Sequence, residues 1–196
     1  MIVKRLMSIA LLIALHVHAA DQHGLDWQLL RAFQDDASFI DIKNLIERGA
    51  KIEFVGECIG GSTALHYAAT SSSEDNALLF YLLEEHNINA NVADWEGCTP
   101  CHMAAACDRG DRIEILYQKG ADVNAKGEKE STPLHFAVVN GALHSVQALL
   151  ACGATQEKDV WGKTPISIAR YNEHQNIVKC LEEWESFSEI KEPGID

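Results

Sequence analysis

Apolar positions recur along the chain in pairs of short helical stretches, and a polar segment separates each pair from the next. Four segments align, and each has a threonine at its second position with small and apolar residues after it: STALHYAA at 62–69, CTPCHMAA at 98–105, STPLHFAV at 131–138 and KTPISIAR at 163–170. Their threonines, at positions 63, 99, 132 and 164, are 36, 33 and 32 residues apart. A period of this size predicts a solenoid of two-helix repeats.

Residues that begin and end helices stand at fixed places in each copy. The threonine is placed to cap the first helix, and Pro100, Pro133 and Pro165 follow it at the first helical position, where a missing N–H costs nothing. A residue that tolerates left-handed backbone closes each second helix: Gly49, Asn87, Gly120 and Gly153. The pattern therefore predicts where each helix of a pair starts and stops.

This arrangement resembles the ankyrin-repeat family, whose signature is T-P-L-H-x-A and whose period is 33. The resemblance implies an all-α solenoid of stacked helix-turn-helix units with β-hairpin loop tips. It places an ankyrin-repeat domain at 21–188, with an N-terminal cap at about 24–53 and a flexible acidic tail at 189–196. The four repeats fall at about 59–91, 95–124, 128–156 and 160–187.

The repeats depart from the family pattern in three places. The 36-residue step predicts three extra residues between the two helices of the first full repeat, within 71–76. The segment from Gly49 to Thr63 is also long, which predicts an enlarged hairpin. The last repeat replaces Leu-His by Ile166 and Ser167 and carries Glu182 and Glu183 on its second helix, as suits a C-terminal cap facing water.

Residues 1–20 have the layout of a secretory signal peptide. Lys4 and Arg5 precede an apolar run of about ten residues, and small residues at Ala19 and Ala20 offer a cleavage site. We therefore expect an exported protein, periplasmic or secreted, with no membrane span after cleavage. The alternative is an uncleaved N-terminal anchor.

Charge narrows the classes of partner. The 196 residues carry 29 acidic and 16 basic side chains, a formal charge of −13. Such a chain repels nucleic-acid phosphates and anionic membranes, so we expect no nucleic-acid role. Its length and 47% hydrophobic content fit one globular domain, expected as a monomer.

The stretch CTPCH at 98–102 carries competing interpretations. C-x-x-C-H is the attachment signature of a c-type haem. Cys98 and Cys101 also flank a predicted helix start, where the helix dipole would lower a thiol pKa, so a redox dithiol or a Cys98–Cys101 disulfide are alternatives. The same residues, however, lie in register with STPLH, and His102 falls on the histidine of the repeat. We favour the structural interpretation because a narrow buried helix face has no room for a porphyrin.

No other grouping indicates catalysis. His66, His102 and His135 recur once per repeat, about 10 Å apart by the repeat spacing, too far to share a metal ion. No catalytic triad or phosphate-binding glycine loop can be singled out. We therefore expect no enzyme activity, no metal and no cofactor.

What remains is surface for binding a protein partner. Trp95 and Trp161 fall at predicted loop tips, where an exposed tryptophan is unusual and typical of binding hot spots. The candidate partner-binding residues are Trp95, Glu96, Arg109, Asn140, Trp161 and Tyr171. Alternatively, both tryptophans pack on neighbouring hairpins. Four residues that follow the signature histidine position lean toward the concave side or belong to the core: Tyr67, Met103, Phe136 and Ile168. By resemblance, the function is non-catalytic protein–protein binding through a concave groove and the loop tips, to a partner that the sequence does not identify.

Overall fold

A computed structural model describes residues 24–52, 60–73 and 75–190 of the chain. The predicted signal peptide, most of the predicted enlarged hairpin (53–59) and residues 191–196 of the predicted tail lie outside the described residues.

The described chain is a stack of antiparallel helix pairs. The cap consists of α1 (Leu25–Gln34) and α2 (Phe39–Glu47). The repeats follow as α3 (Ala64–Thr70) with α4 (Ala77–Phe80), α5 (Pro100–Ala106) with α6 (Gly110–Gln118), α7 (Pro133–Val139) with α8 (Leu143–Ala151), and α9 (Pro165–Tyr171) with α10 (Gln175–Ile190). A π-helical turn, Tyr81–Glu85, extends α4, and a 3-10 turn, Glu128–Glu130, precedes α7. Within the described residues there is no β-strand, so the predicted all-α solenoid is confirmed.

The predicted helix boundaries hold. Thr63, Thr99, Thr132 and Thr164 are the N-caps of the four first helices. In the first three of these repeats, the histidine three residues on accepts from the backbone N–H of the cap, as His102 Nδ1 does from Thr99 at 3.0 Å. Gly49, Asn87, Gly120 and Gly153 have positive φ. That left-handed conformation ends each second helix and turns the chain toward the next loop.

Alanine and leucine positions of the signature form the core. In α7, Leu134, Ala137 and Val138 are fully buried, and α7 packs between α5 and α9. The small alanines let neighbouring helices approach closely, and the second helices contribute larger anchors such as Leu116 and Leu149. Burial of this apolar surface is the main term that holds adjacent repeats together.

Side chains add polar bonds between successive repeats. His66, His102 and His135 each place Nε2 within 2.9–3.1 Å of a carbonyl oxygen in the following loop, those of Cys98, Ser131 and Lys163. Because Nδ1 accepts from threonine, Nε2 carries the proton and donates. Each bond thus joins one repeat to the next.

Asparagines form a second set of links, beside the C-termini of the second helices. Asn91 Nδ2 donates to the carbonyl of Gly120 at 2.8 Å, and its Oδ1 accepts from the N–H of Asp122 at 2.7 Å. Asn124 repeats the arrangement one repeat later with Gly153 and Thr155. These amides satisfy carbonyls at helix C-termini that have no intrahelical partner.

The three extra residues of the first full repeat lie between α3 and α4, as predicted. This loop covers residues 71–76, whereas α5–α6 and α7–α8 are joined by residues 107–109 and 140–142. Arg112, 2% exposed, fills the loop and donates to the carbonyl oxygens of Ala68, Ser71 and Ser73. Asp36 of the cap holds the outer side by accepting from the hydroxyls of Ser71 and Ser72.

The C-terminal helix is longer than its counterparts. α10 has 16 residues, against nine in α6 and α8. None of the helices in the described ranges is long and apolar enough to cross a membrane.

Candidate partner-binding groove

Aspartates shape two of the loop tips in the same way. Asp94 Oδ1 accepts from the N–H groups of Glu96 and Cys98 at 2.9 and 2.8 Å. Asp159 Oδ1 accepts from those of Trp161 and Lys163 at the same distances. In both loops the aspartate N–H donates to the carbonyl four residues on, closing the tip. An aspartate that bonds amides two residues ahead is a common device for fixing tight turns.

These bonds show that the two tryptophans occupy different positions of the loop. Trp95 comes directly after Asp94, at the position that Val160 occupies in the later loop. Trp161 comes two residues after Asp159, at the position that Glu96 occupies in the earlier loop. The backbone agrees, since the N–H groups of Trp95 and Val160 both donate to the preceding loop, at Gly60 and Lys129.

The one-residue offset sends the two indoles to different surroundings. Trp95 lies against the preceding loop, where a Cβ built on Gly61 would approach its Cδ1 to 2.5 Å. It nevertheless stays 76% exposed. Trp161 is 63% exposed and faces the Lys129 ammonium, 5.6 Å from its ring centroid. The alternative of packing on a neighbouring loop therefore describes both tryptophans in part, and Trp161 in addition lines a groove.

The groove lies between the last two repeats on the side of the loop tips and has a volume of about 580 Å³. Phe136 and Val139 of α7 and Ile168 of α9 form an apolar floor. Trp161 and Tyr171 stand in its walls, and Lys129 and Lys163 are the lining cations. Tyr171 is 82% exposed, and the Lys163 ammonium lies 5.5 Å from its ring centroid. A concave apolar floor with a few polar groups at its edge is the usual form of a binding site.

The structure brings two of the six candidate residues together, Trp161 and Tyr171, in the lining of this groove. Trp95 and Glu96 lie on the tip of an earlier loop, outside the lining. Asn140 caps α7 beside the groove and donates to the Phe136 carbonyl at 2.8 Å. Arg109 is half-buried at the start of α6.

Of the four residues that follow the signature histidine position, Phe136 and Ile168 line the groove. Sequence reasoning missed Lys129 and Lys163, which an alignment of the loop tips would have placed beside Trp161.

Cys98 and Cys101 are both buried, free thiols. Burial raises the pKa of Cys98 to about 11 and that of Cys101 to about 12. The expectation that the helix dipole would lower a thiol pKa here is therefore wrong, because loss of hydration outweighs the dipole. The thiolate needed for redox chemistry is suppressed at both positions.

His102 is fully engaged within the repeat stack. Nδ1 accepts from Thr99 and Nε2 donates to Ser131, so both ring nitrogens are in use. The ring also packs edge-on against Phe136, with centroids 5.1 Å apart. A haem iron would require one of these nitrogens to be free, and the geometry of CTPCH thus fits the structural interpretation.

The three histidines of the repeat signature are held in their neutral form. Burial lowers the pKa of His102 to about 4 and lowers those of His66 and His135 as well. Across the described ranges, no group of three or more His, Cys, Asp or Glu side chains is arranged to hold a metal ion.

Comparison with known proteins gives one family. The family model for ankyrin repeats matches residues 29–127 and 125–190, with three copies. The protein fem-1 homolog A of Bos taurus is 33% identical over 116 residues, which cover 59% of this chain and 18% of that protein. The tyrosine-protein kinase Shark of Drosophila melanogaster is 31% identical over 166 residues, 84% of this chain and 17% of its own length. The chain spans less than a fifth of either relative.

Proposed function

Because this chain belongs to the ankyrin-repeat family, whose domains are protein–protein interaction modules, we propose that it binds a protein partner through the groove between its last two repeats. The observation that carries the proposal is that Trp161 and Tyr171 both line a groove with an apolar floor. Both rings are largely exposed, whereas most other apolar residues of the described ranges form a continuous core. Large exposed aromatic residues around a concave surface are typical of binding hot spots.

The mechanism is presentation of a rigid surface. The histidine and asparagine bonds fix each loop relative to the helices of its neighbours. Little conformational entropy is then lost when a partner binds, which favours affinity. The proposed role is non-catalytic and is carried out by a monomer.

Photo-crosslinking tests the proposal. A photoreactive benzoylphenylalanine replaces Tyr171 in one sample and Trp95, which is similarly exposed but outside the groove, in another. We expect a partner adduct from position 171, lost when Trp161 is also changed to alanine, and little adduct from position 95. Adducts of equal yield from both positions, unaffected by Trp161→Ala, would overturn the choice of groove.

We further propose that residues 1–20 direct export, to a periplasm or to the outside of the cell. The support is the sequence alone: a basic start, an apolar run and small residues before position 21. N-terminal sequencing of the mature protein tests this, with a start at residue 20 or 21 expected. A start at Met1 in protein from the cytosolic fraction contradicts it.

A further inference from the structure

The charges that line the groove are not equally available to a partner. Asp159 is only 8% exposed, and its Oδ1 accepts from the amides of its own loop. Glu128 pairs with Lys129 at 2.5 Å. Both carboxylates are thus used inside the protein, and Lys129 is already neutralised.

Lys163 is the exception. Its ammonium contacts the face of Tyr171, and across the described part of the chain no carboxylate lies within 4 Å of it. A cation over an aromatic ring at an exposed site is held only weakly, so the ammonium remains available to a carboxylate of a partner. Among the described residues, Lys163 is thus the lysine of the lining that has no ion pair, although the two carboxylates and two ammonium groups of the lining sum to no net charge.

We propose that the groove binds an extended peptide segment of the partner that carries a large apolar side chain with one or two carboxylates within about three residues of it. This deepens the proposed function and rests on it. The apolar side chain covers the floor formed by Phe136, Val139 and Ile168, and a carboxylate pairs with Lys163. About three extended residues span roughly 10 Å, which is comparable to the size of a groove of about 580 Å³.

The overall charge limits how acidic this segment is. At physiological salt, charges beyond about 8 Å are largely screened, so Lys163 attracts a nearby carboxylate. A long acidic run would instead meet the negative surface of the rest of the chain. A basic segment is also disfavoured, because the faces of Trp161 and Tyr171 already contact lysines.

A randomised twelve-residue peptide library displayed on yeast tests the proposal with the full chain as bait. Selection is run on wild type, on Lys163→Glu, and on the matched control Lys179→Glu, which makes the same charge change on the exposed face of α10. We expect peptides enriched on wild type to share an apolar residue flanked by Asp or Glu. Their affinity should fall at least tenfold on Lys163→Glu, be unchanged on Lys179→Glu, and weaken as salt is raised.

Each of the other outcomes contradicts either this inference or the choice of the groove. Enriched peptides without acidic residues, bound equally by Lys163→Glu, overturn this inference but leave the proposed function standing if Trp161→Ala abolishes binding. Peptides unaffected by both Lys163→Glu and Trp161→Ala overturn the groove itself. If no peptide is enriched and wild type dimerises in sedimentation equilibrium while Lys163→Glu does not, the occupant is a second copy and the inference is wrong. Absence of both enrichment and dimerisation also counts against it.

Discussion

Arg112 donates from its guanidinium to the carbonyl oxygen of Ala68 at 2.9 Å, reaching from α6 of one repeat to the end of α3 in the preceding one. The same guanidinium bonds two further carbonyls and Asn76 Oδ1, and the side chain is almost fully buried. A single side chain thus supplies the hydrogen-bond donors for several acceptors in a loop that is longer than its counterparts.

Arg112→Met should destabilise the protein strongly. It removes these hydrogen bonds and leaves three carbonyl oxygens without their donor, at about 1 kcal/mol or more each, so we expect a loss of at least about 3 kcal/mol. Urea unfolding measures the free energy. Arg31→Met removes an exposed ion pair with Asp35 and should cost less than about 1 kcal/mol. Equal effects of the two substitutions would contradict the role of Arg112.

The buried histidines should make stability fall in acid. Burial holds the pKa of His102 near 4, below the value of about 6.5 in an unfolded chain. Between these values the unfolded state binds more protons, so stability is complete above pH 6.5 and is lost as the pH falls toward 4. The loss from His102 is on the order of 3 kcal/mol.

His102→Gln checks this expectation, because glutamine does not titrate. Its free energy of unfolding should vary less between pH 6.5 and 4 than that of wild type, whereas His144→Gln, at an exposed position, should leave the wild-type slope unchanged. Parallel pH profiles for His102→Gln and wild type would show that the ring is not held neutral by folding.

Gly110→Ala should destabilise α6 although alanine is the better helix former. A Cβ at Gly110 would lie 2.9 Å from the carbonyl oxygen of His144, which is backbone and cannot rotate away. Overpacking of this kind costs about 1–3 kcal/mol, more than the gain of up to about 1 kcal/mol in helix propensity. Gly24→Ala is the control, since no heavy atom lies within 4 Å of its added Cβ. Thermal melts should show a lower Tm for Gly110→Ala alone.

The thiols should differ widely in reactivity. With pKa values raised to about 11 and 12, Cys98 and Cys101 are thiolate in about one molecule in a thousand or fewer at pH 8, and both are shielded from solvent. Exposed Cys107 should therefore react with iodoacetamide before either of them. Peptide mass spectrometry of samples taken over time measures the extent of alkylation at each cysteine. Fast labelling of Cys98 or Cys101 in the folded protein would restore the redox interpretation.

The sequence predicted features that depend on local chemistry better than those that depend on loop register. Thr99 and Pro100 begin a helix, and Gly120 ends one, because these residues favour those conformations in any context. The pKa of Cys101 depends on burial by the neighbouring repeats, which outweighs the local helix dipole and is not visible in the local sequence. Trp95 and Trp161 look equivalent in the sequence because both fall at loop tips, and the hydrogen bonds of Asp94 and Asp159 reveal the offset between them.

That offset bears on how the specificity of such a protein can evolve. The bonds that close the tip use backbone groups and one aspartate, so the residues at the two positions after the aspartate are free to vary: Trp-Glu in one loop and Val-Trp in the other. An indole at the second of these positions lines the groove and one at the first does not, while the hydrogen bonds that close the tip are the same in both loops. Mutations at these two positions can therefore change the recognition surface with little effect on the stability of the fold.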